Sequence, residues 1–357
     1  MKEIEQIRRT DKRRLVIAVT ALNAIDSPGP GVAVIRSIRE CPDFETRIIG
    51  LNYEALEPGI YMHDLVDKTY QIPYPSAGTE SLLHRLEAIH KIENIDLVIP
   101  NFDAELFNFI KLRDKLNGLG IRTFLPDLEP FDARHKMLLY KFGKKHHLQV
   151  PEDKIIYQSS EMKAAADELD FPLVVKGKYY DAEIVNNMEE AQKAFFRLQA
   201  KWGLPIIAQK FIRGTEFNIA ALGDGKGNTI SVIPMRKLYI TDKGKAWAGI
   251  TIEDSSFIDL AQKFIRATKW RGGCELEIMQ TTEGISYIME VNPRFPAWIY
   301  LSAAAGQNQP AALVKMALGE TLEPFKNYEV GKMFVRYSWD LITEVTEFQT
   351  ISGKGEL

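Results

Sequence analysis

The chain has 357 residues, 45% of them hydrophobic, with 45 basic against 48 acidic side chains and a net charge of −3. That length supports two or three domains with their own cores, and the balanced charge excludes the basic bias of a nucleic-acid footprint. Two cysteines, Cys41 and Cys274, exclude a disulfide framework or a metal knuckle and fit a reducing compartment.

The N-terminal stretch MKEIEQIRRTDKRR is charged, and no apolar run of signal type follows it. No run approaches the roughly 18 apolar residues of a membrane span. A cytoplasmic protein without membrane or nucleic-acid partners is expected. Residues 15–20, LVIAVT, are short, apolar and β-branched, as in a strand buried on both faces. The turn Ser27-Pro28-Gly29-Pro30-Gly31 leads into helical spacing over 32–40. It lacks the third glycine of a dinucleotide fingerprint and reads as a structural turn or a substrate-edge loop. Residues 47–51 and 95–100 read as strands, 103–116 as a helix, and 121–125 as the segment closing the unit. Strands alternating with helices predict a parallel sheet covered on both faces.

Residues 129–147 read as a connecting helix carrying Arg134, Lys136, Lys141, Lys144 and Lys145, with Asp132 as a candidate cap. A small α/β lobe follows. It has a strand over 154–157, a helix over 160–169 capped by Ser160, and a strand over 171–176 ending on Lys176. The hairpin partner 183–186, a helix over 189–202 and a strand over 205–212 complete it. Alone, Lys176 fits a snorkelling strand-end lysine as well as a phosphate contact. Residues 217–222 and 229–234 form a hairpin around Gly223-Asp224-Gly225-Lys226-Gly227. Arg236 and Lys237 follow as either a surface pair or an anchor for a carboxylate, which arginine holds bidentately. Lys243-Gly244-Lys245 is a turn. Helices are expected over 256–268 and over 303–318, the second ended by Gly319. Alternating Met333, Val335, Tyr337, Trp339 and Leu341 predict a strand in the tail. His146 and His147 read as solvated, and Cys274 as a small core residue.

Cys274 to Arg294, CELEIMQTTEGISYIMEVNPR, carries two apolar-flanked acidic runs around a turn. A period of two sets Glu290 and Asn292 on one strand face, and a hairpin brings Glu277 beside them. Two carboxylates and an amide oxygen are hard ligands suited to a Mg²⁺ that also holds phosphates. Taken alone, an edge hairpin with solvated acids reads as well.

Four segments in order resemble the ATP-grasp superfamily, in the branch of biotin carboxylase and the synthetase halves of carbamoyl phosphate synthetase: FPLVVKG, IIAQKFIRGTEFN, GGCELEI and MEVNPRF. The resemblance covers about residues 15–320. It implies an α/β protein with an ATP-grasp fold behind a Rossmann-like parallel-sheet domain. The implied domains are residues 1–127, a first lobe with its connecting helix over 128–212, and a second lobe with the tail over 213–357. It implies that Lys136 and Lys176 contact phosphates, that Gln209, Lys210, Phe211 and Ile212 line adenine, and that Glu216 meets the ribose. Glu277, Glu290 and Asn292 become ligands of Mg²⁺ or Mn²⁺. Arg294 stands at the reacting group, with Arg236 near substrate. The phosphate loop Gly177-Lys178-Tyr179-Tyr180-Asp181-Ala182-Glu183 departs from the family in having one glycine. The implied activity is an ADP-forming ligase that turns a small-molecule or peptide carboxylate into an acyl phosphate for attack by an amine, with a homodimer as one assembly it admits. The alternatives are bicarbonate activation, as in carbamoyl phosphate synthetase, and a non-catalytic ATP-binding module. No fused biotinyl domain, no glutaminase and a single synthetase unit are expected.

Overall fold

The computed structural model describes residues 14–24, 28–178, 181–242 and 244–357. Ser27 of the proline-glycine turn, Tyr179 and Tyr180 of the phosphate loop, Lys243, and the charged segment over residues 1–13 lie outside them. The chain divides into two bodies. The first is Met1–Leu128, Ile219–Glu275 and Asn292–Leu357; the second is Glu129–Asn218 and Leu276–Val291.

The first body opens with β1 (Arg14–Val19), α1 (Pro30–Arg39), β2 (Glu45–Asn52), β3 (Lys68–Gln71), α2 (Gly78–Glu93), β4 (Leu97–Ile99) and α3 (Asp103–Leu119). The four strands lie in the order β3-β2-β1-β4, and every pairing is parallel. Ile17 and Val19 of β1 are fully buried because the strand is central. The order reverses between β1 and β4, which opens a crevice at their carboxyl ends. Glu105 sits there, wholly buried in the first turn of α3. It accepts hydrogen bonds from the hydroxyls of Thr20 and Tyr53 and from the backbone N–H of Asn101 and Phe102, both 2.9 Å. Burial pushes its carboxyl up to about 7 against those four donors.

The remaining elements are α4 (Leu128–Ala133), α5 (Lys136–His146), β5 (Asp153–Ile156), α6 (Glu161–Leu169), β6 (Leu173–Lys176), β7 (Ala182–Val185), α7 (Met188–Trp202) and β8 (Ile206–Lys210). They continue with β9 (Thr215–Asp224), β10 (Thr229–Ile240), β11 (Ala246–Thr251), α8 (Ser255–Thr268), β12 (Arg271–Gln280) and β13 (Ser286–Asn292). The chain ends with α9 (Tyr300–Ala304), α10 (Gln309–Ala317), β14 (Met333–Val335) and α11 (Val345–Lys354). Two antiparallel-paired sheets result, in the orders β5-β8-β6-β7 and β13-β12-β9-β10-β11-β14. One face of the four-stranded sheet buries Ile156, Leu173, Val175, Ile206 and Ala208 against Met162, Ala166, Phe195 and Leu198 of α6 and α7.

Several expectations change. The helix over 129–147 breaks at His135, whose φ of −54° and ψ of 137° leave the helical region. Asp132 therefore lies inside α4 and does not cap α5. Ser160 is helical itself and makes no cap hydrogen bond. The Glu161 carboxylate accepts instead from the N–H of Tyr157 and Gln158. The segment 121–125, which closes the unit, joins the sheet through one bridge, Leu97 to Arg122. The helix over 303–318 is interrupted at Gly306, and Asn308 caps α10 by accepting from the N–H of Ala311. The tail strand stops at Val335, on the edge of its sheet, so the exposed Tyr337, Trp339 and Leu341 have no ladder to join. The chain end returns to β3, where Thr69 and Leu357 exchange backbone hydrogen bonds of 2.8 and 3.0 Å.

Candidate active site

The second body carries most of the predicted nucleotide residues. Asp153 of β5 lies opposite Gln209 of β8, Gln209 lies opposite Val174 of β6, and Lys176 lies opposite Ile207. Strand alternation puts all of these on the face turned away from α6 and α7. Lys176 is thus a strand-end lysine on a largely apolar face. Burial drives its ammonium down to about 8, and the Lys136 cation adds to that. The carboxylates of Glu290, Glu277 and Asp153 work in the other direction. Lys136 is the first residue of α5, with its Nζ 3.5 Å from Glu290 Oε2. Lys136, Lys176, Glu277 and Glu290 therefore share one electrostatic neighbourhood.

Burial also pushes Asp153 up to about 6, held back by the Lys176 cation. Asp153 Oδ2 and the Gln209 amide oxygen have no hydrogen-bond partner among the described residues. Both oxygens face the side of the sheet that holds Lys176. Asp153 carried no sequence signal, because only the β5–β8 register reveals its neighbour.

β8 ends at Lys210, so residues 211–213 leave the ladder earlier than the pattern predicts. Phe211 is half-buried and Ile212 buried, while Lys210 and Glu216 are exposed. A Cβ at Gly214 would stand 2.2 Å from the Gln280 carbonyl oxygen, so glycine allows this bend to lie against the end of β12. In the phosphate loop, Gly177 N–H reaches the Asp181 carbonyl at 3.1 Å. The Asp181 carboxylate accepts from Lys201 Nζ at 2.7 Å and from Trp202 Nε1 at 2.9 Å. The loop's base is therefore tied to α7.

The first body carries Asn292, Arg294 and Arg236. Asn292 Nδ2 donates to Glu275 Oε2 at 3.0 Å, and Trp298 Nε1 donates to Glu275 Oε1 at 2.7 Å. Arg294 Nε donates to Asp103 Oδ2 at 2.8 Å, and its Nη1 lies 4.0 Å from Glu275 Oε2. Glu275 is 5% exposed. The sequence reading passed over it, although it lies two residues from Glu277 on one strand face. Arg294 and Asn101 line a small crevice with Phe124, Gly273 and Phe295. Arg236 lies on β10 opposite Ile250, exposed, with no ion pair among the described residues. Cys274 is fully buried, and burial pushes its thiol well above the usual range, as in a core residue.

Among the described residues no three His, Cys, Asp or Glu side chains cluster as a self-sufficient metal cage. The donor types still suit magnesium, which takes one or two carboxylates and completes its shell with phosphates and water. Glu277 and Glu290 would supply such carboxylates. Asn292 commits its amide nitrogen to Glu275, so its oxygen is the atom turned away from that carboxylate.

Residues 204–337 match a family described as ATP-grasp in the biosynthetic pathway with Ter operon. The chain is 22% identical over 305 residues to the carbamoyl phosphate synthase large chain of Agathobacter rectalis, covering 78% of this chain and 26% of that one. It is also 22% identical over 348 residues to the large chain of Bifidobacterium animalis, covering 89% and 30%. The chain thus spans under a third of the length of these curated relatives. Among solved structures, biotin carboxylase of Campylobacter jejuni superposes with a TM-score of 0.70 at 16% identity, covering 89% of this chain and 74% of that one. N5-carboxyaminoimidazole synthetase of Staphylococcus aureus gives 0.68 at 14% identity, covering 90% and 81%. No helix among the described residues is long and apolar enough to cross a membrane. Residues 204–337 thus carry the ATP-grasp match, and the chain shares its fold with these biotin carboxylase and N5-carboxyaminoimidazole synthetase structures.

Proposed function

We propose that the protein is an ADP-forming ligase, using ATP with Mg²⁺ or Mn²⁺ to activate a carboxylate for attack by an amine. The observation that carries this reading is Lys176, desolvated on a sheet face beside Lys136 and in the field of Glu277 and Glu290. A triphosphate needs such cations, and its metal needs such carboxylates. In this reading residues 1–127 form the leading domain, 128–212 the first lobe and 213–357 the second.

Lys176 and Lys136 hold phosphate oxygens. Gln209 and the backbone over 210–212 line adenine, with Phe211 and Ile212 as the slot wall and Glu216 at the ribose. Glu277, Glu290 and Asn292 would hold the metal, which when bound would offset the charge that spreads during phosphoryl transfer. Arg294 pairs with the substrate carboxylate, and Arg236 supplies a second anchor for a substrate anion. A carboxylate oxygen attacks the γ-phosphorus while the bond to ADP breaks. The amine nitrogen then attacks the acyl carbon, phosphate leaves, and the amine loses its proton to solvent. In this reading the activated acyl group stays on phosphate and does not pass to a side chain of the protein. The test is ADP release with pooled carboxylates and amines, where a ligase turns over only when both pools are present. The carbamoyl phosphate synthase relatives favour one second reading, bicarbonate as the activated carboxylate. ADP release that depends on bicarbonate alone would select it.

A further inference from the structure

The last residue of β13, Asn292, lies against a buried carboxylate of β12 that sequence patterning did not single out. Glu275, Asn292 and Trp298 are 5%, 9% and 6% exposed. Glu275 accepts from Asn292 Nδ2 through one oxygen and from Trp298 Nε1 through the other. Arg294 Nη1 stands 4.0 Å from the oxygen that Asn292 uses, while its Nε is fixed to Asp103. A second arginine, Arg336, follows β14 and donates to the Ala246 carbonyl at 2.9 Å. Its guanidinium lies in the field of Glu275, which opposes the lowering that burial causes. A buried carboxylate persists only when hydrogen-bonded and paired with charge. Here both conditions are met by the two residues just proposed to handle metal and substrate, and by the tail.

We propose that Glu275 is a positioning residue. Its carboxylate fixes the Asn292 amide with the nitrogen inward and the oxygen outward, and it sets Arg294 through charge. An amide held the other way round would present its N–H₂ group to the cation. Partners that orient a ligand typically affect metal affinity by about 10- to 100-fold. The inference rests on the ligase reading, because it assumes that Asn292 meets the metal.

The test uses Mn²⁺ titrated onto the full chain with saturating ADP, followed by the electron paramagnetic resonance of free Mn²⁺. ADP affinity is measured separately in chelator. Glu275→Gln places an N–H₂ group against Asn292 Nδ2 and should weaken Mn²⁺ about tenfold or more, with metal-free ADP affinity unchanged. Adding Asn292→Asp to Glu275→Gln restores the hydrogen bond with its direction reversed and keeps an oxygen outward, so Mn²⁺ affinity should return to within a few-fold of the wild type. A purely structural role would move the melting temperature and both affinities together. Unchanged Mn²⁺ affinity in Glu275→Gln overturns the proposal, as does a double variant that stays tenfold weak. If the single variant does not fold, the double variant alone decides. A wild type that binds ADP but no Mn²⁺ removes the metal reading of the site and this inference with it. A wild type that binds Mn²⁺ with an indifferent variant removes the inference alone.

Discussion

The Glu105→Gln substitution tests the electrostatics of the leading sheet. Glu105 titrates at about 7 in the folded chain against an ordinary 4.5. Its folded pKa is raised, so its contribution to stability is fully present below pH 4.5 and is lost as pH rises through 7. At 1.36 kcal/mol for each decade of proton affinity, the ionised carboxylate costs about 3 kcal/mol above pH 7. Glutamine retains the oxygen that accepts from Thr20, Asn101 and Phe102. Tyr53, which donates to the other oxygen, can turn its hydroxyl to accept from the new amide. The difference in unfolding free energy between variant and wild type should therefore move in the variant's favour by about 3 kcal/mol from pH 4.5 to pH 8. Urea unfolding of both proteins across that range measures it. A difference that stays constant with pH would refute the reasoning, because Glu105 would then keep its ordinary titration despite complete burial.

Lys176→Ala should weaken ATP by about 2 kcal/mol, the scale of a charge-assisted contact, and unchanged affinity in calorimetry would return Lys176 to a snorkelling role. Because Lys176 titrates at about 8, ATP affinity should fall as pH rises above 8, with one proton taken up per nucleotide bound; a flat profile to pH 10 would contradict this. Glu290→Gln should leave melting unchanged and abolish ADP formation. Arg294→Ala should depress turnover while ATP affinity stays within about twofold, since a contact made only to the reacting group lowers the rate without weakening nucleotide binding.

Local patterning revealed the strands that are apolar on both sides and the helix over 160–169, though not its cap. LVIAVT became β1 within one residue, and FPLVVK became β6 with Lys176 at its end. The hairpin over 274–294 formed as β12 and β13. β3 escaped notice because KTYQ is short and half-polar, and its pairing with β2 and with the chain end is non-local. The break at His135 depends on a backbone turn that helical spacing does not encode. Tail alternation overpredicted a strand, since apolar alternation without a partner edge has nothing to pair with. Residue types and order made Lys176, Glu277 and Glu290 candidates, and the structure sets them in one electrostatic neighbourhood. Glu275 and Asp153 needed burial and register, which arise only once distant strands meet.

The central claim, a carboxylate activated as an acyl phosphate, is tested most directly by oxygen transfer. The carboxylate that supports ADP release is labelled with ¹⁸O and turned over with its amine. The account predicts ADP as the nucleotide product and one labelled oxygen in each phosphate released. Phosphate without label, or AMP with pyrophosphate in place of ADP, would contradict it.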